Sequence, residues 1–365
     1  MNRTEAISWV LTVCSGLRLS QAKTLSELVA GALSVGRVSL PAIAERLTCR
    51  TTLKHAIKRV WRFTSNTRVE PSVAMQGVVN QLVKRRKKSL VIALDWVEVR
   101  QFHTLCAIAV FKGRGVPLLW ASYPEWVLFR SQNSLEEGLL RLLRTMIPQR
   151  VKIILVADRG FGRTELARTC QELKIHYVIR ISPDVYVRGD RYQGKLLDYP
   201  VKPGMRRLLK NVQYRKQQPV QQHVAILWKR GLPKRRDEPW FLMTDLAASA
   251  VQLSNLYAKR MTIEEVFRDN KSRRNGFALR NTQITRADRF DRLLLILVLA
   301  YLLLVGLGLY AKRRYCPTHW CTNTRNSECS VFTIGRRMLD QLQLSAQQLF
   351  TEIRKATSDA APNWG

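Results

Sequence analysis

Leu293–Tyr310 (LLLILVLAYLLLVGLGLY) runs for 18 residues without a charge. A stretch of this length and polarity has two possible environments. It can cross a bilayer, whose apolar core takes about 20 residues of helix, or it can lie at the centre of a large soluble core as a helix apolar on all sides. Its flanks are basic at both ends, Arg289 and Arg292 on one side and Lys312-Arg313-Arg314 on the other, and so give no orientation bias. No second stretch of this kind occurs, and 365 residues leave ample room for a buried core. The expectation is a core helix, with a membrane anchor as the alternative.

Two shorter apolar runs set the class of that core. Leu90–Leu94 (LVIAL) ends in Asp95, and Val151–Ala157 (VKIILVA) ends in Asp158-Arg159-Gly160-Phe161-Gly162. Unbroken runs of this length suit strands buried on both faces, as in the parallel part of an α/β sheet, whose chemistry collects at the carboxyl ends of the strands. Phe102–Phe111 and Val116–Ser122 read as two further strands joined by the turn Lys112–Gly115, and His176–Ile181 as another. Leu135–Met146 and Arg163–Leu173 read as helices between them.

A third carboxylate lies in Tyr257–Lys271 (YAKRMTIEEVFRDNK). On a continuous helix Tyr257, Arg260, Glu264 and Lys271 fall within roughly a 60° sector. Such a stripe makes a poor apolar face; it is either a solvated charged surface or a phosphate-binding line with one ligand for a metal. Thr262 and Glu265 have capping-box spacing, which predicts a break or restart just before Glu264. Asp95, Asp158 and Glu264 together would make a pocket of three anions, costly without cations and suited to Mg²⁺ or Mn²⁺.

The trio Asp95, Asp158, Glu264 resembles the DDE triad of bacterial insertion-sequence transposases, and Tyr257-x2-Arg260-x3-Glu264-x6-Lys271 resembles the signature of their insertion-sequence-four branch. The Asp-Arg-Gly-Phe segment at Asp158 is similar to that branch too. The resemblance spans roughly the N-terminal helices to Gly276. It departs from the pattern at Met261, where many relatives carry Trp. It implies a ribonuclease H-like catalytic core, an α/β fold interrupted by a β-rich insertion and preceded by an all-α DNA-binding domain; periodicity alone supports only α/β. It further implies two Mg²⁺ (or Mn²⁺) ions held by Asp95, Asp158 and Glu264, with Tyr257, Arg260, Lys271 and Arg159 on DNA phosphates. The transposase would cut transposon ends and join them to target DNA.

Charge favours a polyanionic partner, either nucleic acid or an anionic membrane surface: 61 Lys and Arg face 27 acids, for a formal net charge of +34. Seven cysteines without regular spacing do not describe a disulfide framework, and with no secretory pattern in the first residues the expectation is a reducing cytoplasm. Residues 1–88 read as the helical domain, with helices over Leu25–Leu33, Leu40–Leu47 and Leu53–Phe63. The last two form either a helix-turn-helix at a DNA end or a basic bundle touching phosphates. Lys84–Lys88 (KRRKK) reads as a linker or phosphate-contacting strap. The core then occupies 89–184 and 240–315, split by the Pro- and Gly-punctuated insertion 185–239, in which 14 basic residues outnumber 4 acidic ones. In 316–365, Cys316, His319, Cys321 and Cys329 could ligate zinc, although their spacing fits an irregular loop better, and Gly335–Ile353 reads as one amphipathic helix. The chain would act on double-stranded DNA as a homodimer, without a membrane. A transposase-derived DNA-binding regulator and a stand-alone metal-dependent nuclease are the alternatives.

Overall fold

In the computed structural model the described residues are 3–35, 39–48, 51–215, 217, 219–228, 238–272, 277–321 and 329–362. Residues 229–237, 273–276 and 322–328, the last between Cys321 and Cys329, lie outside them.

The chain opens with five helices: α1 (Arg3–Val13), α2 (Leu19–Leu33), α3 (Leu40–Glu45), α4 (Leu53–Ser65) and α5 (Pro71–Val83). Ser39 caps α3 by accepting the Ala42 N–H at 3.2 Å, and Pro71 starts α5 where a missing N–H costs nothing. Along α4 only Ala56, Val60, Phe63 and Thr64 are buried, so Lys54, Lys58 and Arg62 stay on its outer side.

Among the described residues ten strands follow in one sheet ordered β3-β2-β1-β4-β5-β10-β9-β8-β6-β7. β1 (Leu90–Val99), β2 (Phe102–Phe111) and β3 (Arg114–Pro124) form an antiparallel meander. β4 (Ile153–Ala157) and β5 (Ile175–Arg180) pair in parallel beside β1. Helices α6 (Glu125–Leu128) and α7 (Gln132–Met146) precede β4, and α8 (Thr164–Glu172) precedes β5. The first five residues of β1 and all of β4 are buried, as their unbroken apolar sequence requires.

β6 (Tyr186–Gly189), β7 (Tyr192–Lys195), β8 (Arg206–Tyr214) and β9 (Val220–Leu227) continue this sheet, joined to it through β10 (Trp240–Thr244), which lies between β5 and β9. α9 (Ala250–Tyr257) and α10 (Thr262–Lys271) flank the 3₁₀ segment Ala258–Met261.

α11 (Ala287–Arg314) contains the uncharged stretch, and 94% of its most apolar 18-residue window is buried inside the protein. Its helical neighbours α12 (Val331–Met338) and α13 (Ala346–Asp359) come unusually close. A Cβ on Gly308 would stand 1.7 Å from the Val331 carbonyl oxygen, and one on Gly335 would stand 1.9 Å from that of Leu304. The single C-terminal helix expected over Gly335–Ile353 is therefore two. Ser345 ends the break between them with a capping box onto Gln348, a local hydrogen-bonding choice that restarts the helix.

Candidate active site

Strand register brings the two aspartates together. In the parallel ladder Leu94 pairs with Ala157, so Asp95 and Asp158, each one residue further on, sit at the same height on strands about 4.8 Å apart. β1 does not stop at Asp95 as its apolar run suggests: it continues to Val99, paired with β2, because that partner reaches past the end of β4. Asp158 instead leaves the sheet into the 3₁₀ turn Arg159–Phe161, where its Oδ1 accepts the Gly160 N–H at 2.9 Å.

Glu264 comes from the first turn of α10, where a carboxylate also suits the helix dipole. The continuous helix expected across Tyr257–Lys271 is interrupted by Ala258–Met261. A 3₁₀ segment turns about 120° per residue against 100° in an α-helix, so four residues shift the phase by about 80°. With that shift the four positions still span about 60°, so packing rather than phase withdraws Tyr257. It is 6% exposed and sits edge-on to Trp240 at 5.1 Å; burial raises its hydroxyl pKa, while Arg260 and Arg180 work against the shift. It does not line the cleft that holds the other three residues of the stripe.

Arg260, Glu264 and Lys271 do share one cleft, of about 1090 Å³, with Asp95, Asp158 and Glu98. Arg100, Arg268 and Arg280 add further cations to its wall. Arg100 and Arg280 come from the β1–β2 turn and a 3₁₀ turn remote in sequence, so no local spacing announces them. Lys271 lies with its Nζ 5.8 Å from the centre of the Phe267 ring. Burial, with Arg280 nearby, pulls its pKa down while Glu98 opposes the shift. Arg159 stands apart, in a neighbouring cavity with Trp228 and Tyr199, 3.7 Å from Glu238.

The electrostatics of the cleft turn on Arg260. Its Nη1 donates to Asp95 Oδ2 at 2.7 Å and its Nη2 to Glu264 Oε1 at 2.8 Å. Asp95 Oδ1 accepts the Trp96 N–H at 2.9 Å. Burial pushes the Asp95 carboxyl up to about 6; Asp158 and Glu264 add to that shift, while Arg260 and the Trp96 N–H work against it. Burial opposes the charge on Arg260, but Asp95, Tyr257 and Glu264 outweigh it and hold its pKa above the usual value. Among the described residues no three Asp, Glu, His or Cys side chains stand close enough together to share one ion; between Asp95 and Glu264 stands the guanidinium. Three hard carboxylates on one cleft, two of them already bridged by a stand-in cation, are the donor set that suits divalent ions.

Nearby charges support this arrangement without entering it. Glu265 and Asp269, on α10, both pair with the buried Arg114, whose Nε lies 2.6 Å from Asp269 Oδ2. Glu136 is fully buried, accepts Trp96 Nε1–H at 2.7 Å and pairs with Arg163, which fixes the residue next to Asp95. Neither Arg114 nor Glu136 carries a sequence signal, since each partner is remote in the chain. Further along, Cys316 is exposed and His319 packs edge-on to Tyr315 at 5.5 Å; no three potential zinc ligands converge there among the described residues.

Residues 86–303, about six-tenths of the chain, match the family described as the transposase DDE domain. No curated protein matches the chain.

Proposed function

The chain belongs to the transposase DDE-domain family, and from that premise we propose that it is a DNA transposase of the insertion-sequence-four-like branch, which cuts transposon ends and joins them to target DNA by two-metal-ion phosphoryl transfer. The observation that carries this reading is the convergence of Asp95, Asp158 and Glu264 on one cleft within the matched residues. The branch assignment rests on Tyr257, Arg260, Glu264 and Lys271 at their signature spacing.

Asp95, Asp158 and Glu264 would hold two Mg²⁺ or Mn²⁺ ions. When bound, such ions activate the attacking oxygen and neutralise charge on the phosphoryl group in transfer. Arg260 has two partners in this scheme. Without metal its guanidinium neutralises Asp95 and Glu264; when those carboxylates are engaged elsewhere it is released toward a backbone phosphate, which a planar cation holds bidentately. Lys271, with Arg100, Arg268 and Arg280, lines the path of the DNA backbone and positions it without reading sequence. Tyr257 is a positioning residue, packed on Trp240.

The remaining elements have DNA-facing roles. The cationic outer side of α4 contacts the transposon end, and the basic strands β6–β9 cover the DNA beside the cleft. The protein works in the cytoplasm as a homodimer that pairs two ends, with α11 as its core helix.

The test is direct. Incubation of the full chain with Mg²⁺ and a plasmid bearing the element's ends should give strand cuts at those ends, and addition of pre-cut ends with a target plasmid should give joined products. Cutting without joining would leave a nuclease; binding without cutting would leave a regulator.

A further inference from the structure

The segment Lys84–Lys88 packs against α13 and closes a concavity of about 590 Å³. Its wall holds Lys84, Arg85, Arg86, Lys87, Lys88, Arg354 and Lys355, and no acid. Arg354 and Lys355 come from α13, and Lys355 has a carboxylate in reach, Glu352 Oε1 at 3.9 Å. Among the described residues, Lys84, Arg85, Lys87 and Lys88 meet no carboxylate, and Glu352, a buried acid on α13, is held by Arg313 and Arg314.

The loop is fixed in place. Arg86 reaches across to α13 and donates from Nη2 to the Thr357 carbonyl at 3.0 Å and to the Ser89 carbonyl at 2.8 Å, while its Nε donates to the Lys88 carbonyl at 2.9 Å. Arg85 adopts φ +56°, a left-handed conformation that an L-residue with a long side chain takes at a cost. One arginine thus ties the segment down while four exposed cations face solvent in a fixed array.

This concavity lies beyond the N-terminal end of β1. About 17 Å of strand separates Leu90 from Asp95, so the basic surface and the acidic cleft occupy opposite ends of the same strand. We propose that the concavity is a second contact for the duplex-DNA backbone, remote from the cleft in which strands are cut. The proposal rests on DNA being the substrate but needs none of the cutting chemistry.

The test is the salt dependence of binding of a 30-bp random-sequence duplex to the full chain, followed by fluorescence anisotropy. Each phosphate neutralised contributes about 0.9 to the slope of log K against log salt. The variant Lys84→Ala/Arg85→Ala/Lys87→Ala/Lys88→Ala, which spares Arg86, should lose about 3 to 4 from that slope. Arg354→Ala/Lys355→Ala, on the opposite wall, should lose about 2. An equal-charge control, Lys23→Ala/Lys112→Ala/Lys174→Ala/Lys312→Ala, removes exposed cations elsewhere and should leave the slope within about 1 of wild type. Unchanged slopes in both site variants, or an equal drop in the control, would overturn the site. A wild-type chain that does not bind the duplex at all would overturn this site and the transposase reading together, whereas a steep wild-type slope with unaffected variants removes this site alone. Supporting results divide by stoichiometry on 12-bp duplexes: two per wild-type chain and one per quadruple variant assigns a separate duplex, and one per chain in both assigns a continuation of the DNA in the cleft.

Discussion

Arg260 Nη1 lies 2.7 Å from Asp95 Oδ2, and the same guanidinium reaches Glu264 Oε1 at 2.8 Å. One fixed cation therefore neutralises two carboxylates that come from a strand and a helix 169 residues apart in the chain. Any divalent ion binding those carboxylates competes with it. Arg260→Ala should raise Mn²⁺ affinity in the absence of DNA by about tenfold, equivalent to about 1.4 kcal/mol, and should lower the melting temperature of the metal-free protein because Asp95, Asp158 and Glu264 lose their counter-charge. Titration calorimetry reads the first effect and thermal denaturation the second. Mn²⁺ affinity that is unchanged or weaker in Arg260→Ala would show that the guanidinium does not occupy the ions' place.

Asp95→Asn, Asp158→Asn and Glu264→Gln keep side-chain size and remove one negative charge each. Loss of a group that stabilises the transition state costs about 10²–10³ in rate, and loss of a metal ligand costs more. Each variant should therefore reduce Mg²⁺-dependent strand cutting by at least about 10³-fold. The proposed DNA contacts are made by cations elsewhere, so duplex affinity should stay within about threefold of wild type. A nicking assay beside an anisotropy titration separates the two; robust cutting by any one variant removes that residue from the site.

The pH dependence follows from the direction of the Asp95 shift. Its carboxyl titrates at about 6 in the folded chain against a reference of 3.8, and only the ionised form can ligate a metal. Mn²⁺ binding and strand cutting should thus rise as pH passes through about 6 and level off above it. The stability contributed by this group has the opposite sign: it is fully present below about 3.8 and is lost as pH rises through about 6. Calorimetric Mn²⁺ titrations between pH 5 and 8 test the first statement, and an affinity flat from pH 5 to 7 would contradict it.

The sequence carries the strand half of this site clearly. Apolar runs ending in Asp95 and Asp158 mark buried strands, and placing two such ends side by side takes only a parallel pairing, which the Leu94–Ala157 register supplies. The helix half is legible in its residue types but not in its geometry. Its spacing puts Tyr257 in line with Arg260 and Glu264, but its ring packs edge-on to Trp240, a partner remote in sequence, and does not line the cleft. The capping-box spacing at Thr262 and Glu265 hints at the 3₁₀ break over Ala258–Met261 without giving its angle. Arg159 shows another limit: adjacency to Asp158 in sequence does not carry it into the cleft, because the turn after β4 directs it toward Glu238. Partners set by pairing between distant segments leave no local trace. Arg114 on Asp269, Glu136 on Trp96, and strands β6–β9 continuing the central sheet are all of this kind.

Length and hydropathy alone cannot separate the two environments open to Leu293–Tyr310, but packing of α11 can. At Gly308 a methyl group would stand 1.7 Å from the Val331 carbonyl oxygen and 2.6 Å from its carbonyl carbon. Those are backbone atoms of α12 and cannot rotate aside, so Gly308→Ala must push the helices apart along a fully packed contact. Gly138 offers the comparison, since it lies on α7 with nothing within 4 Å of its added Cβ. Gly308→Ala should destabilise the protein by about 3 kcal/mol, while Gly138→Ala should stabilise it by about 0.5–1 kcal/mol through helix propensity. Denaturant unfolding of both variants measures the contrast. A Gly308→Ala protein as stable as wild type would mean that α11 does not pack against α12 and that its apolar surface is covered by something other than this chain.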